Sequence, residues 1–235
     1  MDKIQIIEKL FYHIVIYSYL FLPLTWLFHR TKDRVSLSIA IYGVIVFLLL
    51  KAVFEYLPFE IQLIYLDAYT LSEFLFFTFL LSISIQNKRV KQIIFFLSFL
   101  FVGFLTFQII SQAILRIKVQ RLDSISVGIE TILLFIFIFL FFYDHSKYNR
   151  AGYIYNHQIF WISVGILMYL GGSLFFNILA NYMTSHEFDS YWHYTYIAET
   201  LKNILFSLAL LISSRQSKSN SLNQSKIPYL DLDMN

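Results

Sequence analysis

Gln62–Ile85 reads QLIYLDAYTLSEFLFFTFLLSISI, and its two halves differ in kind. The first half carries Asp67, Tyr69, Thr70, Ser72 and Glu73, whereas the second has no charge at all. A stretch of this length matches the roughly 20 residues a helix needs to cross a hydrocarbon core. Leu66, Tyr69, Thr70 and Glu73 fall at i, i+3, i+4 and i+7, which is one face of a helix. Glu73 then sits near the bilayer midplane. An ionisable group at that depth costs about 2.5–3.5 kcal/mol on insertion scales, so it turns inward and finds partners. The span predicts a bundle helix with a polar site above its middle and greasy packing below.

Six further stretches have the same character: Lys9–Phe28, Val35–Leu57, Gln92–Gln112, Asp123–Tyr143, Gln158–Met183 and Trp192–Ser213. With 58% hydrophobic and only 14% charged residues, the chain has no room for a separate soluble domain. Lipid cannot satisfy free backbone groups, and spans this long and apolar do not suit a barrel. The expected fold is therefore all-α, a polytopic transmembrane bundle of seven helices over residues 1–213. Residues 214–235, rich in Ser, Asn and Gln, are expected to form a disordered tail. Pro58, the Asn87-Lys88-Arg89 turn, Asp144 to Arg150 and Thr184 to Ser190 mark the boundaries, and Pro23 predicts a kink near the inner end of span one. The start, Met1-Asp2-Lys3-Ile4-Gln5, lacks a basic n-region with a small-residue cleavage site, so Leu10–Phe28 reads as a retained helix and not a cleaved signal. The lack of Cys excludes disulfides and thiol chemistry.

Lys and Arg set the orientation. With the N-terminus outside and the C-terminus inside, eleven basic residues (Arg30, Lys32, Arg34, Lys88, Arg89, Lys91, Lys147, Arg150, Arg215, Lys218, Lys226) face inward and six face outward. The connection holding Arg116, Lys118 and Arg121 is the discordant one. This distribution fits a multi-pass protein of the bacterial cytoplasmic (inner) membrane. The net charge of +3 is small and gives no reason to expect nucleic acid.

Other spans repeat the polar-above, apolar-below pattern. Span five offers Glu130 beside Thr131, with Ser126 a turn above. Span seven offers Glu199, with Lys202 and Asn203 at i+3 and i+4, and span six offers Asn177. Lys51 and Glu55 on span two, His13 and Tyr17 on span one and Gln108 on span four lie at similar depth. The economical arrangement is one chamber, open to the exterior, formed by spans three, five, six and seven. Its expected ligand-binding residues are Asp67, Tyr69, Thr70, Glu73, Glu130, Asn177, Glu199, Lys202 and Asn203. Glu199 and Lys202 are expected to neutralise each other along their helix. Glu73, the deepest, is expected to stay protonated. Below the chamber, residues 74–81, 132–142 and 204–212 carry no charge. Such a plug does not suit a channel or transporter, which needs a polar route on both sides. Gly171-Gly172 could break a helix, but close helix approach is the expected role.

Catalytic and cofactor chemistry find little support. No His-x-x-x-His or His-Glu-x-x-His pair exists, and His193 beside Trp192 and Tyr194 reads as part of an interfacial aromatic belt. No metal, cofactor or catalytic residue is expected. Lys202 in the last span is reminiscent of a retinal-binding lysine, yet position 198 is Ala where such proteins place Asp. The pairs Phe76-Phe77, Phe95-Phe96, Phe141-Phe142 and Phe175-Phe176 raise a lipid or quinone pocket. Neighbours on a helix point about 100° apart, however, so one ring toward lipid and one toward protein is the simpler expectation.

Thr70 to Phe77 with the turn Lys88-Arg89, and Phe160-Trp161 through Tyr169 to Phe175-Phe176 followed by Leu201 to Phe206, form a set. Together they resemble uncharacterised seven-helix bacterial integral membrane proteins of the kind also found attached to histidine-kinase sensors. The resemblance implies a sensory role, with Glu73, Trp161, Tyr169 and Asn203 as positions of interest, and it adds Tyr169 to the ligand-binding set. The expected function is a non-enzymatic sensor acting through a cytoplasmic or membrane signalling partner, with room for a homo-oligomer. The alternatives are a structural or assembly subunit, then an intramembrane enzyme or transporter.

Overall fold

The computed structural model describes residues 3–29, 33–52, 59–115, 124–148, 157–179, 183 and 185–224. They form α1 (Lys3–Ser18), α2 (Phe21–His29), α3 (Arg34–Ala52), α4 (Phe59–Ser84), α5 (Lys88–Leu115), α6 (Ser124–Tyr148), α7 (Gln158–Leu179) and α8 (Ser185–Gln224). The first two are one helical stretch interrupted at Tyr19 and Leu20, so the described residues form seven helical elements. Four described stretches, Lys9–His29, Lys88–Ser111, Ile125–Lys147 and Tyr194–Arg215, are long and apolar enough to cross a membrane. Arg34–Leu50, Ala68–Ser84 and Gln158–Leu174 are further apolar helical stretches. The protein is an all-α, multi-pass integral membrane protein.

Pro23 acts further upstream than expected. Its ring excludes the carbonyl four residues back, which belongs to Tyr19, so the helix opens at 19–20 and not near the inner end of the span. Gly43 on α3 lies against this opening. A Cβ there would come 2.7 Å from the Tyr19 carbonyl oxygen and 2.9 Å from Leu22 Cβ. The missing side chain lets α3 pack onto the break and places Tyr42 beside Tyr19, with ring centroids 6.0 Å apart.

Helix packing divides the bundle into two groups joined by α7 and α8. α3 packs on α1 and α2, which in turn pack on α8; α4, α5 and α6 pack together and meet α7. Although consecutive in sequence, α3 and α4 do not pack extensively on each other. α7 runs unbroken through Gly171 and Gly172. A Cβ at position 172 would lie 2.8 Å from Ala198 Cβ, so close approach to α8 is what this glycine provides.

The apolar half forms the expected plug. Phe74, Phe77, Leu80, Leu81, Phe137, Phe141 and Phe206 are fully buried. Phe74 meets Phe101 edge-on at 4.5 Å, and Phe77 meets Phe206 at 6.1 Å. Phe pairs behave unevenly. Phe77 and Phe141 point inward while Phe76 and Phe142 are half-buried, but Phe95 and Phe96 are both exposed, since α5 packs mainly on α4 and α6 and presents a broad outer face.

One end of the bundle is tied by carboxylates. Asp33 accepts the Val35 amide at 2.7 Å, capping α3, and the Ser213 hydroxyl of α8 at 2.9 Å. Ser36 accepts from Gln158 at the start of α7 at 2.9 Å. Asp144 on α6 accepts the Gln86 amide at 2.6 Å, in the turn before α5. The same end carries Arg34, Lys88, Arg89, Lys91, Lys147 and Arg215. α8 continues helical to Gln224, so the segment expected to be disordered starts as helix; residues 225–235 lie outside the described ones.

Candidate functional site

α4 and α8 each bring one chemistry-bearing face to the middle of the bundle. Lys202 Nζ lies 2.7 Å from Glu73 Oε1, with the two side chains 0% and 4% exposed. Glu73 Oε1 also accepts from Tyr42 at 2.8 Å and from Tyr69 at 3.4 Å, and Oε2 accepts from Tyr169 at 2.9 Å. The carboxylate thus has both oxygens occupied, which a buried charge requires. The ammonium is equally enclosed. It donates toward Tyr42 Oη at 3.2 Å and Tyr19 Oη at 3.4 Å, and stands 4.0 Å over the Tyr169 ring and 5.4 Å from the Phe77 ring centre.

A second carboxyl joins the same network. Glu199, one turn before Lys202 on α8, accepts a hydrogen bond from Tyr19 and lies 3.5 Å from Tyr69 Oη. Tyr69 Oη is also 3.3 Å from Tyr19 Oη. Its single proton therefore has three acceptors at nearly equal distance: Glu73, Glu199 and Tyr19. One ammonium faces two carboxyl groups in an enclosure, so gain or loss of one proton changes the charge of the whole cluster.

Glu73, Glu199, Lys202, Tyr69 and Tyr169 lie together in this network. Two details differ from expectation. Glu73, and not Glu199, receives the Lys202 ammonium directly, because the long lysine stem reaches across to α4 while Glu199 turns toward Tyr19. Among the described residues the chamber is built by Tyr19 between α1 and α2 and by α3, α4, α7 and α8, and none of its hydrogen bonds comes from α6. Glu130 on α6 is buried, and its Oε1 has no hydrogen-bond partner among the described residues.

Asn203 serves a neighbouring contact, donating to Ser18 Oγ at 2.7 Å where α1 ends. Ser18 passes the interaction to the Val15 carbonyl at 2.6 Å. Thr70 is half-buried and adds no bond to the network of described residues. The side chains of Asp67 and Asn177, and those of Lys51 and Glu55, lie outside the described residues. Gln108 accepts from Ser126 at 2.8 Å, away from the cluster.

Tyr19 and Tyr42 are the members that sequence reasoning missed. Each stands mid-span, Tyr19 at the break between α1 and α2 and Tyr42 within α3, and a phenol at that depth needs a partner; that was the available signal. No family model, curated protein or solved structure matches this chain.

Proposed function

We propose that this protein is a sensory bundle of the cytoplasmic membrane of a bacterium, oriented with its N-terminus outside. The Lys202–Glu73 pair in its tyrosine cage is the responsive element, and a partner protein at the basic end receives the output. The single observation that carries this reading is the fully enclosed 2.7 Å ion pair between α4 and α8. α8 holds Lys202 and Glu199 at its middle and Ser213 at the tied end, then extends to Gln224. A ligand or proton that rearranges the cage acts on a continuous rod leading to the basic face. Resemblance to bundles attached to histidine kinases points the same way.

Two spin labels test it. The chain has no native Cys, so Lys88→Cys and Arg215→Cys, both at exposed positions, are labelled selectively. In nanodiscs, Glu73→Gln should shift the distance between the labels, and Tyr169→Phe should shift it in the same direction. An unchanged distance distribution in both folded variants would refute the sensor.

A structural or assembly subunit is the second reading. It is favoured by the saturation of Glu73, whose acceptors are filled within the bundle. That reading predicts reduced subunit association for the same variants and no movement of α8.

A further inference from the structure

We propose that the gap between α3 and α4 binds a neutral, single-tailed amphiphile taken from the bilayer, with its hydroxyl head bonded to Tyr42 and Tyr69. This inference rests on the reading of the tyrosine cage as a ligand-responsive site. A cavity of about 530 Å³ separates the two helices, inside the roughly 300–1,000 Å³ range of small-molecule sites. Open along one side and narrow between two helices, a cleft of this size suits one alkyl chain with a small head.

Its walls are apolar: Ile41, Ile45 and Leu49 from α3, and Phe76 and Phe79 with Ser72 from α4. Ile41, Ile45 and Phe79 are about half exposed at 49%, 50% and 47%, which places the opening on the lipid-facing side of the bundle. Tyr42, Tyr69 and Glu73 close the inner end. Ser38 and Ser72 spend their hydroxyls on carbonyls of their own helices, at 2.9 and 2.8 Å. The phenols are thus the polar handles.

Charge selects the head. Lys202 is fully buried on the far side of Glu73 and is not part of the lining, so an anionic head would meet a carboxylate and no cation. A cationic head would meet a carboxylate whose oxygens already serve four donors. A neutral head needs only a phenol. By accepting the Tyr69 proton it withdraws that proton from Glu73 and Glu199, which connects the gap to both carboxyls facing Lys202.

The test uses the full chain in phosphatidylcholine nanodiscs and a hexadecanol analogue with a mid-chain diazirine and a terminal alkyne. Photolabelling should concentrate on residues 41–49 and 72–79, and excess hexadecanol should reduce it at least tenfold. Hexadecyl phosphate and hexadecyltrimethylammonium should not compete. Ser72→Trp, filling the gap from the exposed face of α4, and Ile45→Trp, filling it from α3, should each cut labelling at least fivefold. Labelling spread over the exposed α5 residues Phe95, Phe99 and Phe107 would overturn the proposal, as would equal competition by either charged amphiphile, or labelling that survives both tryptophans. The sensor reading fails separately. Confined labelling with no change in the 88–215 distance on adding hexadecanol keeps the site and removes the sensor, whereas diffuse labelling with a Glu73-dependent distance change does the reverse.

Discussion

Glu73 and Lys202 are 129 positions apart in the chain, yet their charged atoms meet at 2.7 Å in the buried interior. Burial of two charges is offset only when their remaining hydrogen-bonding capacity is filled. Here four helical spans supply tyrosine hydroxyls or rings for that purpose. The pair therefore joins α4 to α8, two helices that otherwise pack little on each other.

Tyr169→Phe removes the hydrogen bond to Glu73 Oε2 but keeps the aromatic ring beneath the ammonium. Loss of a hydrogen bond to a charged group is expected to lower stability by about 1.5–3 kcal/mol. Denaturation in mild detergent should show this loss. Tyr143→Phe, at a position 63% exposed, should stay within about 0.5 kcal/mol of the parent.

Neighbouring glycines in α7 should respond oppositely to alanine. At 172 the new methyl meets Ala198 at 2.8 Å, and such overpacking costs about 1–3 kcal/mol. At 171 nothing lies within 4 Å, so alanine should be neutral or stabilise by up to about 1 kcal/mol through helix propensity. Paired thermal melts of the two variants check the contrast.

Glu130→Leu should leave stability unchanged or raise it, because the replaced carboxyl has a buried oxygen without a partner among the described residues. Glu73→Leu should instead lose about 3–5 kcal/mol by stranding Lys202. Similar losses for the two substitutions would mean that α6 belongs to the charged network.

The sequence made the spans legible because lipid imposes a length and a composition on each helix. It also made Glu73, Glu199 and Lys202 conspicuous, since charge at that depth is costly. Partner choice was not legible. Helical spacing favoured a Glu199–Lys202 pair, and only the relative rotation of α4 and α8 gives the lysine to Glu73. Tyr19 and Tyr42 escaped notice because aromatic residues are common throughout the spans, at 20% of the chain. The position of the break in span one depended on knowing which carbonyl Pro23 displaces. The gap between α3 and α4 left no mark, as it arises from how two groups of helices dock.

Asp33→Ala should release the tied end. It removes the cap of α3 and the acceptor for Ser213 of α8, and cap loss costs about 0.5–2 kcal/mol. Hydrogen exchange should accelerate at the amides of Val35 and Ser36, while amides near Glu73 keep their protection.

A double-mutant cycle across Glu73→Gln and Lys202→Met is the most direct measurement. All four proteins are unfolded in the same detergent, and the two single losses are compared with the loss in the double variant. Contacting residues in one network couple by about 0.5–3 kcal/mol, and for this enclosed pair the double variant should be more stable than the sum of its single losses implies by at least about 1.5 kcal/mol. Additive losses would mean that the two side chains do not meet, and the caged pair would have to be given up.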